Sequence, residues 1–329
     1  MKRFLFSLIV IGVIGTTGMP FGAHAQTPAG DATFPSKPIR IVVPFLPGGT
    51  PDIQMRLMMD KLAQRFGQPV VVENRAGANG IIGMEVVARA PADGHTVFYT
   101  TVGTWTVHPH LYKLPYDVLK DFTPIIHVAV TPGVLAVHPS LPVKTVKELV
   151  AMARERPGQI SYGSAGVGGW FHIASELFAS MTDVKFLHVP YKGASAALTD
   201  LMGGHVHWMV NTTIAIAPHV KSGKVRALAT TDTRRVAMMP HLPTMDEAGV
   251  RGYEGNTWCA MGGPARTPRA AVERLNRDVM AVLQMPDIQQ RLAEGGSIVT
   301  GGTPEQLTDI VKADLAKFGK LVKTVGIKG

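Results

Sequence analysis

Cysteine is all but missing from this sequence. Cys259, in "TWCAM", is the only one, so the chain can close no internal disulfide, and the residue reads as a small buried apolar group. Aromatic residues are sparse, at 7%, and no Lys/Arg block is interleaved with them, which removes the usual footprint of a nucleic-acid binder. Acidic residues are in deficit, 24 against 33 Lys and Arg, for a formal charge of +9. A long apolar run is lacking too: the N-terminal one, residues 4–14, is too short to span a bilayer. It follows Met1-Lys2-Arg3 and leads to Ala23-His24-Ala25, the pattern of a secretory signal cleaved before Gln26. No cysteine stands at that point to take a lipid. The expected product is a periplasmic, monomeric protein of 304 residues with a formal charge of +7, large enough for two domains. A modest positive field suits anionic ligands, and a solvated basic surface accounts for it equally well.

Strand and helix signals alternate along the chain. Residues 39–43 and 69–73 read as strands, and 53–66 as a helix with Ile53, Leu57, Met58 and Leu62 at helical spacing and Gly67 as its stop. A helix over "IIGMEVVARA" and a strand over 95–101 follow. This alternation predicts parallel sheet with helices on both faces. Proline-punctuated β-prone runs over 124–146 offer a passage between domains. The alternation restarts with strands at 159–163, 184–189, 206–210 and 225–230 and helices at 170–181 and 194–202. Amphipathic helices are expected over about 270–293 and 304–324. The expected domains are 34–131 with 253–329, and 132–252.

Both halves open alike, with strand, glycine-rich turn and helix: "IVVPFLPGGTPDIQ" and "ISYGSAGVGGWFHIASE". In the first, Thr50 is a candidate N-cap, Pro51 suits the first helical position, and Asp52 offsets the macrodipole. Gly48 and Gly49 leave the approach to the free N–H groups clear. One such turn is adequately explained as a capped structural helix. Two, facing each other across a crevice beyond the strand ends, can hold an anionic ligand between them, a dicarboxylate or a carboxylate with a second polar end.

Other glycine chemistries fail on detail. No Lys completes a phosphate loop, Phe171 stands where a dinucleotide fingerprint needs its third glycine, and Tyr162 breaks the G-x-S-x-G elbow around Ser164. The 12 histidines include His172 and Glu176 one turn apart and His205-x-His207, but no three-ligand set, so neither metal nor cofactor is expected. Of the four tryptophans, Trp105, Trp170 and Trp258 occupy strand-to-loop positions that should border the crevice. Trp208, inside "VHWMV", reads as core.

The segments "FPSKPIRIVVPFLPGGTPDIQMR", "GQPVVVENRAGANGIIG", "ADGHT", "LPYDVLKDFTPI", "RPGQISYGSAGVGGWFHIASELF", "HVPYKGASAALTDLMGGHV" and "LPTMDEAG" resemble the solute receptors of tripartite tricarboxylate transporters, the Bug or TctC-like binding proteins. The resemblance covers nearly the whole chain after residue 25. It implies a type II periplasmic binding protein fold, two doubly wound α/β domains joined by crossing strands. It also implies a carboxylate ligand held through backbone amides and bridging water from the two glycine turns, and a membrane permease or a sensor kinase as partner. The positions that match are Gly48, Gly49, Thr50 and Asp52, then Ser164, Ala165, Gly166, Gly168 and His172. Relatives usually carry a small polar residue near Trp170, "FDN" or "FAN" in place of "VNT" at 210–212, and "GTSGTHAxNP" where this chain has "TVGTWTVHP". Thr104, Trp105, Trp170 and Asn211 are therefore expected to shape the pocket, with Trp258 beside them. Aromatic faces stack at a gain of ~0.5 to 1.5 kcal/mol beyond area burial. The expected ligand is accordingly an aromatic mono- or dicarboxylate, with acyclic C4–C9 dicarboxylates or acidic amino acids as the alternative.

An exported enzyme is the competing class, but no nucleophile, base and orienting group converge in the sequence. A regulator's effector domain would need a DNA-binding segment where the signal stands.

Overall fold

The computed structural model describes residues 34–327; the expected signal lies outside them. Its elements run β1 (Ile39–Val43), α1 (Thr50–Phe66), β2 (Val70–Asn74), α2 (Ile81–Ala88), β3 (Thr96–Thr101), β4 (Phe122–Thr131), β5 (Gly133–Val137), α3 (Val146–Glu155), β6 (Ser161–Ser164), α4 (Trp170–Thr182), β7 (Leu187–Pro190), α5 (Ala194–Met202), β8 (Trp208–Thr212), α6 (Thr213–Lys221), β9 (Arg226–Thr230), β10 (Thr257–Pro264), α7 (Arg269–Leu283), α8 (Pro286–Glu294), β11 (Ile298–Val299) and α9 (Pro304–Val325).

Two sheets result, in the orders β11-β4-β10-β3-β1-β2 and β7-β6-β8-β5-β9. The parallel pairs are β1 with β2 and β3, and β6 with β7 and β8. The expectation of parallel sheets is corrected to mixed ones. β10 runs antiparallel to both β3 and β4, and β5 antiparallel to both β8 and β9. The physical reason is the crossing of the chain. β4 ends at Thr131 in the first sheet and β5 begins at Gly133 in the second, with Pro132 between them, so one extended run serves two sheets. The return, from β9 to β10, reinserts a strand into the first sheet against the outgoing β4.

Three readings of local structure also change. The buried stripe of α1 is Met55, Met58, Leu62 and Phe66, while Ile53 is 38% exposed, so the helix is rotated from the face its first apolar residues suggested. Pro286 divides the expected 270–293 helix into α7 and α8, as proline does in a helix interior. α3 and α6 went unread because they sit beside β-prone runs. α3 closes its N-terminus with a capping box of Thr145 and Glu148.

The core fills both sides of the first sheet. Ile39, Ile41 and Val43 pack with Met55, Met58, Leu62, Leu275 and Val279 on one side, and Val42 with Phe98, Trp105 and Val107 on the other. Gln54, 1% exposed, ties α1 to the crossing: its amide donates to Thr131 Oγ1 at 3.2 Å and Ser297 Oγ at 3.0 Å and accepts from the Tyr99 hydroxyl at 2.6 Å. Among the described residues, no helix is long and apolar enough to cross a membrane.

α2 lies close against the turn after β1, where a Cβ on Gly83 would stand 2.7 Å from Pro44 Cβ and 2.8 Å from the Arg75 carbonyl oxygen. Backbone on two sides cannot give way. Gly83→Ala is expected to cost about 1 to 3 kcal/mol by overpacking, read as a lower urea midpoint; an unchanged midpoint would show that α2 can shift freely.

Candidate functional site

A cavity of about 750 Å³ opens where the two sheets face each other. Helix starts surround it. Residues of the opening turns of α1 (Gly49, Thr50, Pro51), α2 (Gly80, Ile81), α4 (Gly169, Trp170, Phe171), α5 (Gly193, Ala194, Ser195) and α6 (Thr212, Ile214) all line it. None of these five helices has a side-chain cap. α3 and α9, away from the cavity, both close with capping boxes. α7 and α8 are also without side-chain caps, but they start outside it. Glycine precedes α1, α2, α4 and α5 and Thr212 precedes α6, so these starts stand behind little side-chain bulk, although the first amides of α2 and α6 already donate to backbone, Ile81 N–H to the Ala78 carbonyl and Thr213 N–H to the Pro132 carbonyl at 3.1 Å.

The electrostatics follow from that arrangement. No Asp or Glu lines the cavity among the described residues, and Lys192 is the one formally charged side chain that does. The remaining wall is largely apolar, with Phe45, Leu46, Ile53, Ile81, Trp170, Phe171 and Leu198. Partial positive charge from converging helix dipoles, in surroundings that screen poorly, favours an anion. Among the described residues, no three His, Cys, Asp or Glu side chains come together to hold a metal.

The expected residues divide. Gly48, Gly49, Thr50, Thr104, Ala165, Trp170 and Asn211 line the cavity; Asp52, Trp105, Ser164, Gly166, Gly168, His172 and Trp258 do not. Thr50 is the first residue of α1 rather than its N-cap, which is Gly49, and its hydroxyl meets that of Thr212 at 2.9 Å, joining one sheet's helix to the other's. Asp52 is 3% exposed and turns back on its own helix: it accepts from Gly48 N–H at 2.9 Å and from Arg56 Nε at 2.9 Å. It builds the turn and consumes one of the amides that the turn was expected to offer.

The second turn is braced from behind. Ser164 Oγ lies 2.7 Å from His188 Nε2 and 3.2 Å from the Gly166 N–H, and His172 Nδ1 accepts from Gly168 N–H at 3.0 Å. His172 stacks on His188 with ring centres 4.0 Å apart. Gly166, at φ 127°, faces the other half of the molecule: a Cβ there would meet Asn79 Oδ1 at 2.5 Å. The Val167 carbonyl beside it accepts from the Asn79 amide and from the Tyr112 hydroxyl at 2.6 Å. The glycines of this turn thus admit the opposite lobe rather than the ligand.

Trp105 and Trp258 are corrected from cavity to core. Trp105 is fully buried, edge-on to Phe98 and Trp258, with Nε1 donating to the Val118 carbonyl at 3.3 Å. Trp258 donates to Asp314 Oδ2 at 2.7 Å. The turn after β3 winds as a short, wide helical segment, Gly103–Val107, that leaves Trp105 inward, an outcome that strand-to-loop position alone does not reveal. Trp170 keeps an edge on the cavity while its Nε1 donates to the Gly255 carbonyl at 3.1 Å. Trp208 is core, as read.

Sequence reading left out the turn Ala76–Ile81, Tyr191–Ser195, Tyr112 and His108, all of which line the cavity. The signal for the first two was present: "NGI" and "KGAS" put glycine just before a helix start, as "GGT" does. His108, 1% exposed, carried no such mark.

Comparison with known proteins follows the same outline. Residues 54–327 match the family model described as "Tripartite tricarboxylate transporter family receptor". The "UPF0065 protein in tcbD-tcbE intergenic region" of Pseudomonas sp. (strain P51) is 40% identical over 290 residues, 88% of this chain and 86% of that one. The solved structure "R. palustris Rpa4515 with adipate" is similar at TM-score 0.86 and 39% identity, covering 90% of this chain and 99% of that chain. MatC (Rpa3494) from Rhodopseudomonas palustris, solved with bound malate, is similar at TM-score 0.83 and 30% identity, covering 88% of this chain and 100% of that chain.

Burial holds several imidazoles neutral, pushing His108 and His127 down to about 4 and His172, with help from His188, to about 3. The unfolded chain takes up these protons below its ordinary value of about 6.5, where the folded chain does not. Folding stability is therefore fully present above pH ~6.5 and falls as pH drops toward 4, by up to about 2 kcal/mol per histidine at pH 5. Urea unfolding at pH 7.5 and 5.0 should show a clearly lower midpoint at 5.0; equal midpoints would contradict the buried, neutral assignment.

Proposed function

The chain belongs to the tripartite tricarboxylate transporter receptor family, whose members and structural neighbours are solute-binding proteins rather than enzymes, and we propose that this one captures a small dicarboxylate between its two lobes. The observation that carries the proposal is the convergence of five helix starts, none with a side-chain cap, on one cavity that, among the described residues, no carboxylate lines. α1 and α2 come from the half built on the first sheet, and α4, α5 and α6 from the half built on the second. A ligand with a negative charge at each end engages both. The neighbours with adipate and with malate support an acyclic dianion.

The domain limits proposed are 34–131 with 253–329, and 132–252, the chain crossing at Pro132 and again before β10. Contacts over the cavity supply the closed state's own interactions: Thr50 with Thr212, and Asn79 and Tyr112 on Val167. A ligand that binds this state better than an open one shifts the population toward it. The closed, monomeric receptor would act in the periplasm and present its ligand to a membrane permease; a sensor kinase is the alternative recipient. Gly48, Gly49, Thr50, Thr104, Ala165, Trp170 and Asn211 are proposed as ligand contacts. Ser164, Gly166, Gly168, His172 and Asp52 are proposed to hold the two turns in place.

An aromatic dicarboxylate is the second reading, and Phe45, Tyr112, Trp170, Phe171 and Tyr191 on the cavity wall favour it. It stands second because Trp105, on which half of the aromatic expectation rested, lies in the core.

A thermal-shift and calorimetry panel of C4–C9 dicarboxylates, aromatic dicarboxylates, matched monocarboxylates and acidic amino acids tests the proposal. A ligand at a hundred times its dissociation constant adds about 2.7 kcal/mol to the folded state. Acyclic dicarboxylates should give the largest shifts. A response to aromatic acids alone would replace the first reading by the second, and silence across the panel would overturn both.

A further inference from the structure

His108 is a buried polar residue on the cavity wall, and its chemistry is unspent. It is 1% exposed, lines the cavity, and neither ring nitrogen has a hydrogen-bond partner among the described residues. Its neighbour Tyr112 meets it edge-on, ring centres 5.4 Å apart, and directs its own hydroxyl to Val167 instead. Leaving a buried donor or acceptor unpaired costs free energy that a bound partner recovers. Asn211 repeats the situation from the other sheet. It is 2% exposed and on the cavity wall; its Oδ1 accepts from Thr212 N–H at 2.8 Å while its Nδ2 has no partner among the described residues. Two unpartnered groups from opposite lobes thus line one cavity.

We propose that His108 is a specificity-determining residue that hydrogen-bonds one end of the dicarboxylate through a neutral imidazole, with the Asn211 amide as the donor from the facing lobe. The inference rests on the dicarboxylate reading above. No charged side chain shifts His108; burial alone holds it neutral, so it offers a directed N–H without placing a fixed charge in the wall. A neutral donor there selects for a hydrogen-bonding group at a defined position, where a lysine would accept an anion from many directions. The site rejects a ligand that lacks this group, because filling the cavity with a methyl end would leave the imidazole unpaired.

The test is calorimetric affinity for adipate in the wild type, His108→Phe and His108→Gln, with melting curves to establish folding. Phe keeps a ring but cannot hydrogen-bond, and is expected to lose roughly tenfold to a hundredfold in affinity. Gln supplies a neutral donor and acceptor and should restore most of that loss. Unchanged affinity in His108→Phe, or an equal loss in both variants at native melting temperature, would overturn the inference while leaving the dicarboxylate reading intact. Failure of the wild type to bind adipate or any other dicarboxylate would overturn both. Ring-labelled ¹⁵N-histidine spectra of the wild type, with His108 assigned by its loss in His108→Gln, give a readout independent of how well the Phe variant folds. Adipate should displace the His108 nitrogen signals, and signals that stay in place would count against it.

Discussion

Five helix starts without side-chain caps border the cavity, and the character of its wall follows from them. The first N–H groups of a helix must find partners, and most proteins supply them from the chain itself with a Ser, Thr, Asp or Asn. Here Thr145 and Thr303 do so for the two helices closed by capping boxes, while the five that face the cavity begin after Gly49, Gly80, Gly169, Gly193 and Thr212 with no side-chain cap. That choice weakens each helix slightly and leaves a field suited to an anion. It also explains why the cavity needs so little formal charge. Lys192 stands beside the five helix starts, and among the described residues no Asp or Glu on the wall offsets their field.

Contact between the two halves uses small residues in the same way. Gly166 and the Val167 carbonyl form a seat into which Asn79 and Tyr112 of the opposite lobe fit. His172, His188 and Ser164 stiffen that seat from behind through the Gly166 and Gly168 amides. On the other side, Asp52 uses its two oxygens on Gly48 and Arg56 and so braces the first turn from within. Braced turns suit a two-lobed receptor, since a preorganised site loses little ordering free energy on binding. Gln54 and its partners Tyr99, Thr131 and Ser297 place α1 at the point where the outgoing strand leaves the first sheet.

Much of the architecture was legible in the sequence because its signals are local. Ile39–Val43, the Gly67 stop and the alternation through Thr101 depend on neighbours a few residues away. β10 and the antiparallel sense of β5 were not, because they arise from pairing across the crossing, between residues more than a hundred positions apart in the case of β4 and β10. The site was legible in half. Glycines before helix starts marked the turns of α1 and α4, and the same rule applied to Gly80 and Gly193 would have found α2 and α5. It could not tell a glycine that bares an amide to a ligand from Gly166 and Gly168, which make room for another loop. Nor could it orient Trp105, since a turn of helix after β3 decides whether that side chain faces the cavity or Phe98.

On the proposed reading, backbone amides at the helix starts, rather than side-chain cations, hold the ligand's charge. A crystal structure of the protein grown with adipate tests it most directly. Both carboxylates should lie in the cavity, with oxygens within about 3.2 Å of backbone N–H groups, directly or through one water, from helix starts of both lobes. Carboxylates paired only with Lys192, or bound outside the cavity, would contradict it.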